Sequence, residues 1–140
     1  MILILTILAF ISVAIHYSMV TENGNSEPPI LPPPNPWYSR AMVSLENGNK
    51  ENALAYINKG LNKVPKNAPK QIVILLALKI KVLLLIGGSD NQAKAENVAN
   101  QNEGSSSALD RWINCLKEEK FFSSIITTET ELEAKCPSPI

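Results

Sequence analysis

The sequence has one histidine, two cysteines and no excess of either charge: 13 Lys and Arg face 13 Asp and Glu in 140 residues. The histidine is His16, close to the amino end, so the rest of the chain can assemble no Ser/His/Asp or Cys/His triad. Cys115 and Cys136 have no other soft ligand near them and make no zinc site. No glycine loop for phosphate is present, since Gly87-Gly88 is followed by Ser89-Asp90 rather than by Lys-Ser/Thr. Glu118 and Glu119 are adjacent, and adjacent carboxylates on a helix point apart. Zero net charge gives no reason to expect nucleic acid as the main partner. Ten prolines without a Gly-X-Y period and only two cysteines exclude collagen and a disulfide-dense scaffold. Asn is abundant, yet no Asn-x-Ser/Thr acceptor occurs. The expectation is a chain with no enzymatic activity, no cofactor and no metal.

What is present is strongly segregated. Residues 2–20, ILILTILAFISVAIHYSMV, carry no charged side chain, and no Lys or Arg precedes Arg40. Between 50 and 81, Lys50, Lys59, Lys63, Lys66, Lys70, Lys79 and Lys81 face only Glu51. Farther on, Glu118, Glu119, Glu129, Glu131 and Glu133 outnumber Lys120 and Lys135. The order is an apolar head, a basic middle and an acidic tail.

The head, residues 1–20, has the length of a membrane span. Nineteen helical residues reach roughly 28 Å, close to a hydrocarbon core of about 30 Å. His16, Tyr17 and Ser18 suit its interfacial end. The leading expectation is an uncleaved transmembrane anchor. A cleaved signal peptide is the rival, although only the α-amino group would supply its positive n-region. A buried core helix is the third alternative. That single positive group favours an amino terminus on the cytoplasmic side, with the C-terminal domain outside the cytoplasm.

Residues 21–36, TENGNSEPPILPPPNP, hold six of the ten prolines between Pro28 and Pro36. Proline fixes φ and removes donors, so the segment reads as a semi-rigid polyproline spacer between anchor and domain. Recognition by a proline-binding module is the alternative.

Residues 37–65, WYSRAMVSLENGNKENALAYINKGLNKVP, form the informative stretch. Apolar or small residues recur at helical spacing at Trp37, Ala41 and Leu45, then at Ala53, Leu54, Ile57, Gly60, Leu61 and Val64. Asn47-Gly48-Asn49 between them is turn chemistry. Pro36 can open the first helix and Pro65 close the second. The spacing predicts a helical hairpin with small residues where its helices approach.

This hairpin resembles a tetratricopeptide repeat. Trp37, Ala41, Ala53, Ile57, Gly60 and Pro65 fall at the spacing of that family, and Gly48 falls at its turn glycine. Arg40 stands in place of the usual Leu and Ser44 in place of the usual aromatic, as suits a first repeat with nothing packed in front of it. The resemblance covers about residues 34–67, with a degenerate second repeat after it. It implies a short helical-hairpin domain of α-solenoid type; with the apolar head as an N-terminal transmembrane helix, the whole chain is expected to be all-α. The resemblance also implies a protein-binding surface on the first helix, with Tyr38, Met42, Leu45 and Glu46 as the partner-binding residues. Tyr38 and Met42 do not match a basic, amide-rich carboxylate clamp, which leaves an apolar or mixed peptide, or a neighbouring subunit, as the expected occupant.

A lone hairpin cannot bury its apolar face. Residues 68–86, APKQIVILLALKIKVLLLI, offer a neighbour: from Ile72 to Ile86 only Lys79 and Lys81 are charged, as in a helix buried on several sides. KIKVLLLI also alternates in part, so a strand stays open, as does a re-entrant or interfacial segment. Gly87-Gly88 ends this element, with Ser89 or Asp90 as N-cap of a weak helix over 91–102. Glu103 to Ser107 is a flexible break. Ala108, Leu109, Trp112, Ile113 and Leu116 then make a capping helix, with Ser107 as N-cap and Phe121, Phe122, Ile125 and Ile126 extending it or docking irregularly. The helical domain is expected over 37–126 and a flexible tail over 127–140.

Two questions stay open at this level. Outside the cytoplasm Cys115 and Cys136 can pair and pin the tail; inside it they remain thiols. The lysines of 50–81 are either the solvent side of amphipathic helices or a surface for anionic lipid or an acidic partner. The functional expectation is a membrane-anchored scaffold for protein–protein interaction, an assembly factor or accessory subunit of a membrane complex. The alternative is a small secreted helical protein released after signal cleavage.

Overall fold

The computed structural model describes residues 35–123 and 127–140. The expected anchor over 1–20 and most of the proline spacer lie outside the described residues, as do Ile125 and Ile126. Within them the chain is all-α, with six helices and no strand. Among the described residues no helix is long and apolar enough to cross a membrane.

Helix α1 spans Pro36–Glu46 and α2 spans Lys50–Lys63. Asn35 caps α1: its Oδ1 accepts hydrogen bonds from the amides of Trp37 at 3.1 Å and Tyr38 at 3.2 Å. Pro36 occupies the first turn, where its missing N–H costs nothing. The turn between the helices is the expected Asn47-Gly48-Asn49, with Gly48 at φ 76°, and Asn49 Oδ1 caps α2 through the Asn52 amide. So short a link sends α2 back against α1. Ser44, at the departure from the repeat signature, is buried. Its hydroxyl donates to Arg40 O at 3.0 Å and accepts from Asn52 Nδ2 at 3.2 Å, which ties the two helices together on their polar side.

Helix α3 spans Pro69–Ile86. The partial alternation of KIKVLLLI therefore belongs to a helix, and nine side chains of α3 are buried, among them Leu75, Leu78, Ile80, Val82 and Leu84. Full burial of such side chains contributes about 1.5–3 kcal/mol each, before chain entropy is subtracted. Helix α3 serves two cores. Leu75, Leu78 and Val82 pack with Ala41, Ala53 and Ile57 of the first hairpin. Ile80, Leu83 and Leu84 pack with residues of the later helices. A Lys50 ammonium donates to Leu85 O at 3.2 Å, placing a cation at the carbonyl end of α3.

Helix α4 spans Ser89–Gln101. Its N-cap is Gly88, not Ser89 or Asp90, and no side chain caps it. The reason is conformational: Gly87 and Gly88 have φ of 78° and 87°, so the reversal between α3 and α4 is made in a region that side-chain-bearing residues avoid. Helix α5 spans Ser107–Glu118, and its cap is Ser106, one residue before the expected Ser107, with Oγ accepting from the Leu109 amide. Of the three consecutive serines, Ser106 is the one with extended backbone three residues ahead of that amide. After α5, Lys120 adopts φ 61° and the Phe121 amide bonds to Leu116 O at 3.0 Å, a Schellman-type stop that turns Phe121 into the core.

The tail is not loose over its length. Helix α6 spans Glu129–Lys135, capped by Thr128 through the Glu131 amide. Leu132 and Cys136 are wholly buried in the cluster built by α3, α4 and α5. Cys136 is bridged to Cys115, with Cα atoms 5.8 Å apart. The Trp112 indole N–H donates to Cys136 O at 3.1 Å, so the bridge, an indole and a leucine hold the tail together.

Candidate functional site

All four residues expected to bind a partner lie on α1. Tyr38, Met42 and Leu45 are half-buried and pack from the edge onto the first core, and Glu46 is exposed at the end of the helix. The apolar residue that α1 exposes most is Val43, at 54%. It sits off the buried stripe, and an apolar residue off the stripe is the signal by which the sequence could have revealed it. Arg40 is exposed as expected, and its guanidinium lies 5.0 Å from the centre of the Trp37 ring, a cation–π contact that covers the indole. α1 therefore offers a mixed surface: an aromatic edge, a thioether, an exposed valine and two charged groups of opposite sign.

The basic stretch resolves into different roles. Lys59, Lys63, Lys66 and Lys70 are exposed on the solvent side. Lys81 is not: its side chain is 12% exposed and its ammonium meets Glu133 at 2.9 Å and Glu129 at 3.1 Å, both from α6. Burial pulls the Lys81 ammonium down, but the bonds and charges of Glu133 and Glu129 more than offset this and hold it above the ordinary lysine value. Burial likewise pushes the Glu133 carboxyl up, while Lys81 and the Ser138 amide pull it below the ordinary glutamate value.

Lys79, two residues earlier on α3, lies in a different setting. It opens onto a groove of about 300 Å³ between α2 and α4, together with Lys94, Asn58, Asn97 and Gln101. The apolar lining comes from Leu54, Leu83 and Val98, and no carboxylate lines the groove. Among the described residues neither Lys79 nor Lys94 takes part in an ion pair. Burial holds the Lys79 ammonium below its ordinary value. The sequence shows both lysines of α3 but not which of them finds acids.

A second concavity, of about 440 Å³, lies beside the disulfide between Arg111, Trp112, Pro137 and Pro139. Among the described residues no group of three or more His, Cys, Asp or Glu side chains could hold a metal ion. No family model, no curated protein and no solved structure matches the chain.

Proposed function

We propose that this chain is a membrane-anchored scaffold of tetratricopeptide type that binds other proteins and assists the assembly of a membrane complex, as an assembly factor or accessory subunit. The observation that carries this reading is the one-sidedness of α1. Its inner face is closed by α2, while Val43 is exposed and Tyr38, Met42 and Leu45 are only half covered. Helical arrays of this kind stack further units or bind segments on such faces. The uncharged run of residues 2–20 supplies the anchor, with the amino terminus cytoplasmic and the helical domain outside. The Cys115–Cys136 bridge supports that side, since disulfides persist in oxidising compartments.

The same bridge also favours a second reading, a small secreted helical protein freed by cleavage of the head. Extraction and N-terminal sequencing separate the two. The anchored scaffold retains Met1, resists alkaline carbonate, requires detergent and co-purifies with a partner under native conditions. A detergent-free monomer that lacks its head and crosslinks to nothing contradicts it.

A further inference from the structure

Lys79 and Lys81 share α3 but lie about 200° apart around the helix axis, and so face opposite sides. The Lys81 side is closed: the short helix α6 lies there and delivers Glu129 and Glu133, spaced by four residues, to one ammonium. The buried Leu132 supplies the apolar contact between them. The Lys79 side has the same ingredients without the acids. Lys79, half-buried, lines the groove with Leu54, Leu83 and Val98, together with Lys94 and the carboxamide residues Asn58, Asn97 and Gln101.

The residues that form this groove recur every three or four positions, at 54 and 58, at 79 and 83, and at 94, 97, 98 and 101. Its walls are thus faces of α2 and α4, and the trough follows α3 between them. Two uncompensated positive charges over an apolar floor favour an occupant that brings carboxylates and aliphatic side chains together. The carboxamides can donate to the carboxylates and also accept from backbone or side-chain donors.

We propose that the groove between α2 and α4 docks an acidic amphipathic segment of a partner protein, with Lys79 and Lys94 meeting its carboxylates and Leu54, Leu83 and Val98 its aliphatic side chains. In effect the partner does on the Lys79 side what α6 does on the Lys81 side. The inference rests on the scaffold reading above and names the chemistry of the partner at a face distinct from α1.

The test uses the full chain in detergent and a fluorescein-labelled helical peptide with two glutamates four residues apart between leucines. Its controls are the same peptide with glutamine, and with lysine, in place of glutamate. Anisotropy titration is expected to show binding of the glutamate peptide, weaker by about tenfold or more for the glutamine peptide and for the Lys79→Glu/Lys94→Glu chain. The lysine peptide is expected to bind the charge-reversed chain better than the natural one. Circular dichroism of each variant checks the fold, and Lys94→Glu alone, at an exposed position, keeps the test decisive if the double variant unfolds.

Equal binding of glutamate and glutamine peptides, or no effect of charge reversal, overturns the proposal. So does displacement of the peptide by short-chain phosphatidic acid at lower concentration than by unlabelled peptide, which would make the groove a lipid-phosphate site. Self-association of the chain that depends on Lys79 would assign the groove to a second copy and overturn it as well. A native partner that still co-purifies with the charge-reversed chain removes the groove and leaves the scaffold reading standing; absence of any partner with the natural chain removes the scaffold reading itself.

Discussion

Trp37 and Gly60 meet at the crossing of α1 and α2 so closely that a Cβ on Gly60 would stand 2.7 Å from Trp37 Cβ. Leu75 Cδ1, from α3, would be 3.0 Å away. Gly60 is thus the point at which three helices converge, and the absent side chain lets them do so. The leucine could rotate aside, but Trp37 Cβ is fixed to its backbone.

Gly60→Ala therefore destabilises the domain although alanine is the better helix former by about 1 kcal/mol. Overpacking of this kind costs about 1–3 kcal/mol, and the contact at the tryptophan Cβ decides the sign. Urea denaturation followed by Trp fluorescence checks it: the midpoint falls, whereas Ala55→Gly, at an exposed position of the same helix, lowers it only by the propensity difference.

Gly88 makes the opposite case. A Cβ there would meet nothing within 4 Å, yet φ is 87° and ψ is 154°. The cost of Gly88→Ala is purely conformational, about 1–3 kcal/mol. Thermal melts should show a loss of that order, with no rescue from trimming any neighbouring side chain.

The Cys115–Cys136 bridge closes a loop with a sequence separation of 21 residues. Its removal is expected to cost about 3 kcal/mol in the chain-entropy model. Cys115→Ser/Cys136→Ser, or reductant on the natural chain, should lower the melting temperature. It should also shift Trp112 emission to the red, because the carbonyl its indole binds is that of Cys136. A loose tail would leave both quantities unchanged.

The contact of Lys81 with Glu133 fixes a pH dependence. Glu133 has its folded-state pKa lowered, so its stabilisation is complete above the ordinary glutamate value of about 4.3 and is lost as pH falls from there through the lower folded-state value. Lys81 has its pKa raised, so its contribution is complete below the ordinary lysine value of about 10.4 and is lost as pH rises through the higher one. Glu133 is 38% exposed, and solvent screening limits the effect; Glu133→Gln should cost about 0.2–1 kcal/mol at neutral pH. Urea midpoints measured against pH should show a shallower acid limb in the variant than in the natural chain.

The first hairpin was legible because its information is local. Proline at position 36, the Asn-Gly-Asn turn and the small residues at 41, 53 and 60 all act within their own helices or on the adjacent one. The near-continuous apolar run of α3 likewise announced a helix buried on more than one side. Helix α6 was not legible. Its seven residues hold one large apolar side chain, Leu132, among three glutamates, a composition that reads as solvated. What orders it is distant in sequence: Lys81, Trp112 and Cys115. The α4 cap was not legible for a related reason, since serine and aspartate caps have a side-chain signature and a glycine cap has only a backbone one. The groove at Lys79 was illegible because its walls and floor come from three helices, and two lysines on one helix look alike until the acids of α6 are seen to choose one of them.

The scaffold reading is tested most directly at Val43, the large apolar side chain that α1 leaves open. A photo-crosslinking residue introduced there in the full chain, and at the exposed Asn62 of α2 as control, reports whether a protein sits on that face. One discrete crosslinked partner is expected at position 43, absent at position 62 and lost when Met42→Glu places a carboxylate on the adjoining surface. Crosslinking at position 43 to no protein, or to the same proteins as at position 62, would contradict the scaffold reading.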